Sequence, residues 1–222
     1  MQPAPLSRRL VAEFIGTAML LAAIVGSGIA AERLSPHESG LELLENAVAT
    51  AAALVAIIMA FGPVSGAHLN PLISVADAVL GGLTAAAAAS YVVAQFAGAV
   101  VGALVANLMF SLPAVEISTK PRFGPGLWFA EGVATFGLVL VVFSLTRTGR
   151  SSLAAPAVGL YIGAAYWFTA STSFANPAVT IARTLSNTFA GIAPGSVIPF
   201  ILAQLVGAGV AIATVRLLYP RS

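Results

Sequence analysis

Apolar residues run along this chain in six long stretches separated by short polar breaks, at residues 10–31, 41–61, 84–110, 127–146, 153–170 and 197–218. Each holds about 18–27 residues, enough to cross ~30 Å of hydrocarbon at ~1.5 Å per residue, so each predicts a transmembrane helix. Two further apolar segments are interrupted by small residues and an Asn-Pro pair: Ser65-Gly66-Ala67-His68-Leu69-Asn70-Pro71-Leu72, and Ser171-Thr172-Ser173-Phe174-Ala175-Asn176-Pro177-Ala178-Val179. Asparagine caps helices well and proline is tolerated in the first turn, where its missing N–H would have no partner. Each pair therefore predicts a loop turning into a helix, running to about Leu80 and Leu185. Some ~10 residues of helix reach ~15 Å, half the hydrocarbon thickness, and two facing ones make one complete span.

The pattern repeats. Ala12-Glu13-Phe14-Ile15-Gly16-Thr17 in the first span returns as Ala130-Glu131-Gly132-Val133-Ala134-Thr135 in the fourth, and Ala94-Gln95-Phe96-Ala97-Gly98-Ala99 in the third returns as Ala203-Gln204-Leu205-Val206-Gly207-Ala208 in the sixth. The first span looks superficially like a signal peptide, but its internal copy argues that it is retained. Residues 1–222 thus read as one domain whose halves cover approximately 10–111 and 127–218. With three spans in each, the halves must run in opposite directions, which makes an inverted repeat of the kind that brings broken helices together at the bilayer midplane. The expected fold is an all-α membrane protein of six transmembrane helices plus two re-entrant half-helices. Small residues one turn apart, Gly98 with Gly102, Gly159 with Gly163, and Ala203 with Gly207 and Ala211, permit close helix crossing.

Composition agrees: 59% of the residues are hydrophobic, 8% are charged, and the mean hydropathy is +0.96, whereas a water-soluble domain carries roughly a quarter charged residues. The net charge of +2 comes from loop and terminal arginines, so it speaks to topology and not to a nucleic-acid partner. Arg8, Arg9, Arg147, Arg150, Arg216 and Arg221 fall on one side, against Arg33, Lys120, Arg122 and Arg183 on the other, where five glutamates also lie. That asymmetry places both termini in the cytoplasm. The absence of cysteine excludes disulfides, thiolate metal sites and a cysteine nucleophile.

Taken together, the Ser-Gly-Ala-His-Leu-Asn-Pro segment, the second Asn-Pro, the Ala-Glu openings and the Ala-Gln pairs resemble, in order and spacing, the aquaporins of the major intrinsic protein family over nearly the full length. The resemblance implies a pore in each subunit of a homotetramer in the cell (inner) membrane, passing small neutral solutes without cofactor, metal or catalysis. Asn70, Pro71 and Leu72 with Asn176, Pro177 and Ala178 would form the pore motifs. The two asparagine amides would face the lumen where the positive half-helix ends meet, disfavouring cations. Backbone carbonyls of Gly66, Ala67, His68 and Leu69, and of Thr172, Ser173, Phe174 and Ala175, are expected to line the pore, since non-helical backbone at membrane depth needs water or protein partners. Glu13 and Glu131 are ionisable groups inside spans; by the resemblance each carboxylate accepts bonds from a re-entrant loop. His68 has no second ligand nearby and reads as pore-lining or packing.

Two departures from the family pattern bear on selectivity. Leu72 stands where alanine is usual. Val179 stands where most members carry the arginine that narrows the outer constriction, and the change removes five donors and a fixed charge. The other constriction positions are Thr50, Ser173 and a fifth-span residue, which is Ala164 counted back from Asn176 or Tyr166 counted forward from Gly159. Arg183, one helical turn past Val179, reads as a snorkelling interfacial arginine or as a displaced charge in the vestibule. The reading is a passive channel with a widened filter for water, glycerol-like polyols and arsenite- or antimonite-type hydroxides, with a water-selective pore as the alternative. A coupled transporter would need a lumen-facing carboxylate, for which the sequence offers Glu13 and Glu131 at equivalent structural positions, and an intramembrane enzyme lacks any His–Glu, Ser–His or Ser–Lys constellation.

Overall fold

The computed structural model describes residues 4–220, which form helices and loops. The helices are α1 (Leu6–Leu34), α2 (Ser39–Ser65), α3 (Pro71–Leu80), α4 (Ala85–Met109), α5 (Pro125–Arg147), α6 (Ala154–Phe168), α7 (Pro177–Ala182) and α8 (Val197–Leu218). Five of them, α1, α2, α4, α5 and α8, are long and apolar enough to cross a membrane. At 29 residues α1 extends about 43 Å, longer than the hydrocarbon layer.

α1 and α2 run longer than their sequence-predicted spans, whereas the fifth span and the second half-helix are shorter as α-helix. The fifth span, expected over 153–170, begins as a tight turn, Ser151–Leu153, before α6; Pro156 sits in the first turn of the helix, where it breaks no hydrogen bond. At its other end Thr169 turns extended while its hydroxyl donates to the Ala165 carbonyl at 2.7 Å, closing the helix. The second half-helix is α-helical for only six residues and finishes as a tighter turn, Arg183–Leu185, as Arg183 swings inward.

Two tight helix pairs frame the two halves. A side chain at Gly98 of α4 would strike the backbone carbonyl of Phe14 in α1, and one at Gly207 of α8 would strike that of Gly132 in α5. The same bare backbone at repeat-related positions lets α1 lie on α4 and α5 on α8, the close approach that holds helices together where lipid offers no hydrophobic drive. At one end of the bundle Arg147 and Arg216 lie with the C-terminus of α3, and Arg216 donates to the Val79 carbonyl at 3.0 Å. At the other end Lys120 pairs with Glu32 at 3.5 Å.

Candidate pore and constriction

The two re-entrant loops are built alike. Asn70 and Asn176 have extended backbone and cap α3 and α7: the Asn70 side-chain oxygen accepts from the Leu72 amide, and that of Asn176 accepts from Ala178 and Val179. Before each cap the backbone enters the left-handed region at three matching places, Gly66, Ala67 and Leu69 (φ 90°, 47° and 54°) and Thr172, Ser173 and Ala175 (φ 61°, 54° and 48°). Non-glycine residues there cost about 1–3 kcal/mol each and persist only where surrounding contacts impose them. The buried glutamates impose them. Glu13 accepts from the His68 and Leu69 amides at 2.9 and 2.7 Å, from the Ser65 hydroxyl at 2.6 Å and from Gln95 at 2.7 Å. Glu131 accepts from the Phe174 and Ala175 amides at 2.8 and 2.9 Å and from Gln204 at 2.6 Å. Gln95 and Gln204 each reach on to a hydroxyl of the half-helix, Ser74 and Thr180, at 2.9 Å. These glutamines mark the repeat in the sequence; their bridging role is visible only in three dimensions.

The half-helices meet through their caps. The Asn70 side-chain amide donates to the Ala175 carbonyl and that of Asn176 to the Leu69 carbonyl, both at 2.8 Å. Each amide carries a second N–H. The carbonyls of Leu69 and Ala175, expected as acceptors for the lumen, thus use one lone pair to tie the halves together.

A cavity of about 670 Å³ runs past this junction. One side is apolar, with Leu20, Ile24, Leu54, Leu138, Val158 and Ile162; the other carries Gly66, Ala67, His68, Leu69, Asn70, Ser173, Phe174 and Asn176. Pro71, Leu72, Thr172, Ala175, Pro177 and Ala178 are not on its wall. Leu72 is 4% exposed and packs in the core, so its bulk does not enter the lumen. The His68 ring holds Ser74 at 3.1 Å, lies 3.9 Å from Asp77, and meets the edge of Tyr91.

Thr50, Tyr166, Ser173 and Val179 come together on the same wall, and the Tyr166 hydroxyl donates to Thr50 at 3.2 Å. Ala164 faces outward and is exposed. Of the two countings, the one that reached Ala164 therefore points away from the pore. Val179 is 2% exposed and its amide belongs to the Asn176 cap. Arg183 does not snorkel. It is buried on the cavity wall, stacked on Phe174 with its guanidinium carbon 3.5 Å from the ring centroid. Arg122, from the loop before α5, lies 5.0 Å from the same centroid, and burial pulls its pKa below the ordinary value while Glu131 acts in the opposite sense. No sequence pattern marks Arg122 as part of this site.

The profile of the family described as Major intrinsic protein matches residues 1–173. The chain belongs to that family. Its members are passive channels rather than enzymes, and the matched stretch ends in the second re-entrant loop, just short of Asn176. The chain is 51% identical to aquaglyceroporin AqpS of Rhizobium meliloti (strain 1021) over 216 residues, covering 97% of this chain and 92% of the relative. It is 36% identical to the probable aquaporin TIP-type alpha of Phaseolus vulgaris over 71% of this chain and 64% of that one. The fold matches the X-ray structure of the aquaglyceroporin from Plasmodium falciparum with a TM-score of 0.72 at 22% identity, over 96% of this chain and 97% of the other. This integral membrane protein is a channel with the family's fold of six spans and two half-helices.

Proposed function

We propose that this channel passes water and small uncharged solutes up to glycerol-like polyols and metalloid trihydroxides such as arsenite and antimonite, through a constriction widened at Val179. The observation that carries this reading is that Thr50, Tyr166, Ser173 and Val179 all line one cavity, offering uncharged hydroxyls and an isopropyl group at the position where the family pattern has a guanidinium. Hydroxyls and loop carbonyls can replace part of a polyol's hydration, while the apolar side of the lumen accepts its carbon face. The 51% identity to a protein named an aquaglyceroporin supports the same solute class. The two halves, 10–111 and 127–218, act as one channel domain in the cell (inner) membrane, with both termini in the cytoplasm because the basic cluster of Arg147 and Arg216 marks that face. In keeping with its family the chain works as a homotetramer with one pore per subunit.

The test is a stopped-flow panel on proteoliposomes with water, glycerol, urea and arsenite. Flux linear in the gradient and indifferent to protonophore, with glycerol and arsenite passing, is the expected result. Impermeability to every solute larger than water favours a water-selective pore, for which the Tyr166–Thr50 contact across the constriction is the structural argument.

A further inference from the structure

Two arginines without an acidic partner converge on one aromatic ring beside the constriction. The loop before the last helix holds both with three successive carbonyls: Phe189 and Gly191 accept from Arg122 at 3.2 and 2.9 Å, and Ala190 accepts from Nε of Arg183. Neither guanidinium is in ion-pair contact with a carboxylate among the described residues. Arg183 is 2% exposed, yet Nε makes its only hydrogen bond among those residues; its two terminal amino groups, on the fork that stacks on Phe174, have no protein acceptor, and the side chain forms part of the cavity wall with Ser173 and Val179. Anchoring the loop accounts for Nε. It does not account for a charge held on the cavity wall with terminal amino groups that no protein acceptor takes up, and an ionisable group at membrane depth marks a solute path by default.

We propose that Arg183 is the cationic selectivity element of this pore. It supplies, from one turn beyond Val179, the fixed charge that the constriction lacks, and its terminal amino groups donate to the oxygens of passing polyhydroxy solutes. Phe174 holds the guanidinium plane by stacking, and Arg122, behind the cavity wall on the same ring, adds a second positive charge to the local field. Two like charges in a poorly screened site repel an approaching cation while leaving a neutral polyol free to accept hydrogen bonds. The assignment rests on the reading of the chain as a wide channel for neutral solutes.

The test compares Arg183→Met, which keeps the stem and removes the fork, with Arg183→Lys and with the double variant Val179→Arg/Arg183→Met in proteoliposomes. The readout is potassium leak relative to water permeability. Arg183→Met should raise that ratio on the order of tenfold, Arg183→Lys should stay tight because the charge remains, and Val179→Arg should restore tightness in the Met background. An Arg183→Met protein as tight to potassium as the wild type overturns the proposal, as does a leak equal in the Lys variant or unaffected by Val179→Arg, since those would mark a loosened fold. Failure of the wild type to pass glycerol overturns the polyol reading instead, and the potassium comparison still decides the role of Arg183.

Discussion

Asn70 donates its side-chain amide to the Ala175 carbonyl at 2.8 Å, a bond that crosses from the first half of the chain to the second. Asn176 returns the same bond to Leu69. Capping alone would be served by aspartate, whose oxygen accepts from the first-turn amides equally well. The crossing bonds need an N–H donor.

Asn176→Asp therefore separates the two roles. It keeps the cap on Ala178 and Val179 but sets a carboxylate against the Leu69 carbonyl. The expected result is a loss of about 1–3 kcal/mol of stability, together with loss of neutral-solute flux or a cation leak. Thermal unfolding in detergent and proteoliposome flux measure the two; unchanged values for both would reduce Asn176 to a cap.

Glu13→Gln and Glu131→Gln replace an acceptor-only carboxylate with a group whose NH₂ faces donors. Glu13 serves four donors and Glu131 three, two of them in each case re-entrant-loop amides, of which Leu69 and Ala175 have left-handed backbone. Hydrogen bonds to charged groups contribute about 1.5–3 kcal/mol each, so either variant should lower the unfolding temperature markedly, Glu13→Gln the more. Glutamine variants that unfold with the wild type would show that the glutamates do not hold the loops.

Gly98→Val and Gly207→Val should both prevent normal assembly, because the new side chain meets backbone carbonyls of Phe14 and Gly132 that cannot yield. Gly209→Val on α8 is the control, with no heavy atom within 4 Å of its Cβ position. Comparable yields of folded protein from all three would remove the close-packing argument.

Much of this fold is legible in the sequence because hydropathy, the Asn-Pro breaks and the internal copies are independent signals that agree. The span over 197–218 is predicted and observed with the same ends. What is not legible is rotation about a helix axis. In a soluble helix the apolar stripe fixes which face looks inward, but a membrane helix is apolar all round. Ala164 and Tyr166 are two residues apart, about 200° of turn, and nothing in the apolar run of α6 says which points at the pore. Arg183 is hidden for another reason. Its inward course depends on Phe174 and on the Ala190 carbonyl, one partner before it and one after it in the chain, and no spacing rule joins the three.

That rotation is what the remaining experiment exploits. Tyr166, hydroxyl to hydroxyl with Thr50, and Val179 both line the cavity, and on the proposed reading the width at this level depends on that aromatic ring and that isopropyl group. Val179→Arg adds a long five-donor side chain to that gap. Water can still pass beside it, whereas a molecule with three hydroxyls needs the space it fills, so glycerol and arsenite permeability should fall much more than water permeability, on the order of tenfold against twofold or less. Tyr166→Ala should act in the opposite sense, raising polyol flux by removing the ring and the hydroxyl that holds Thr50. Ala164→Tyr, on the exposed face of α6, should leave the ratio of the two permeabilities unchanged. Stopped-flow light scattering on the three variants reads all of these at once. Equal losses of water and glycerol in Val179→Arg would mean that residue 179 does not set the size limit, and a change in the ratio from Ala164→Tyr would mean that the constriction is lined by the other face of the helix.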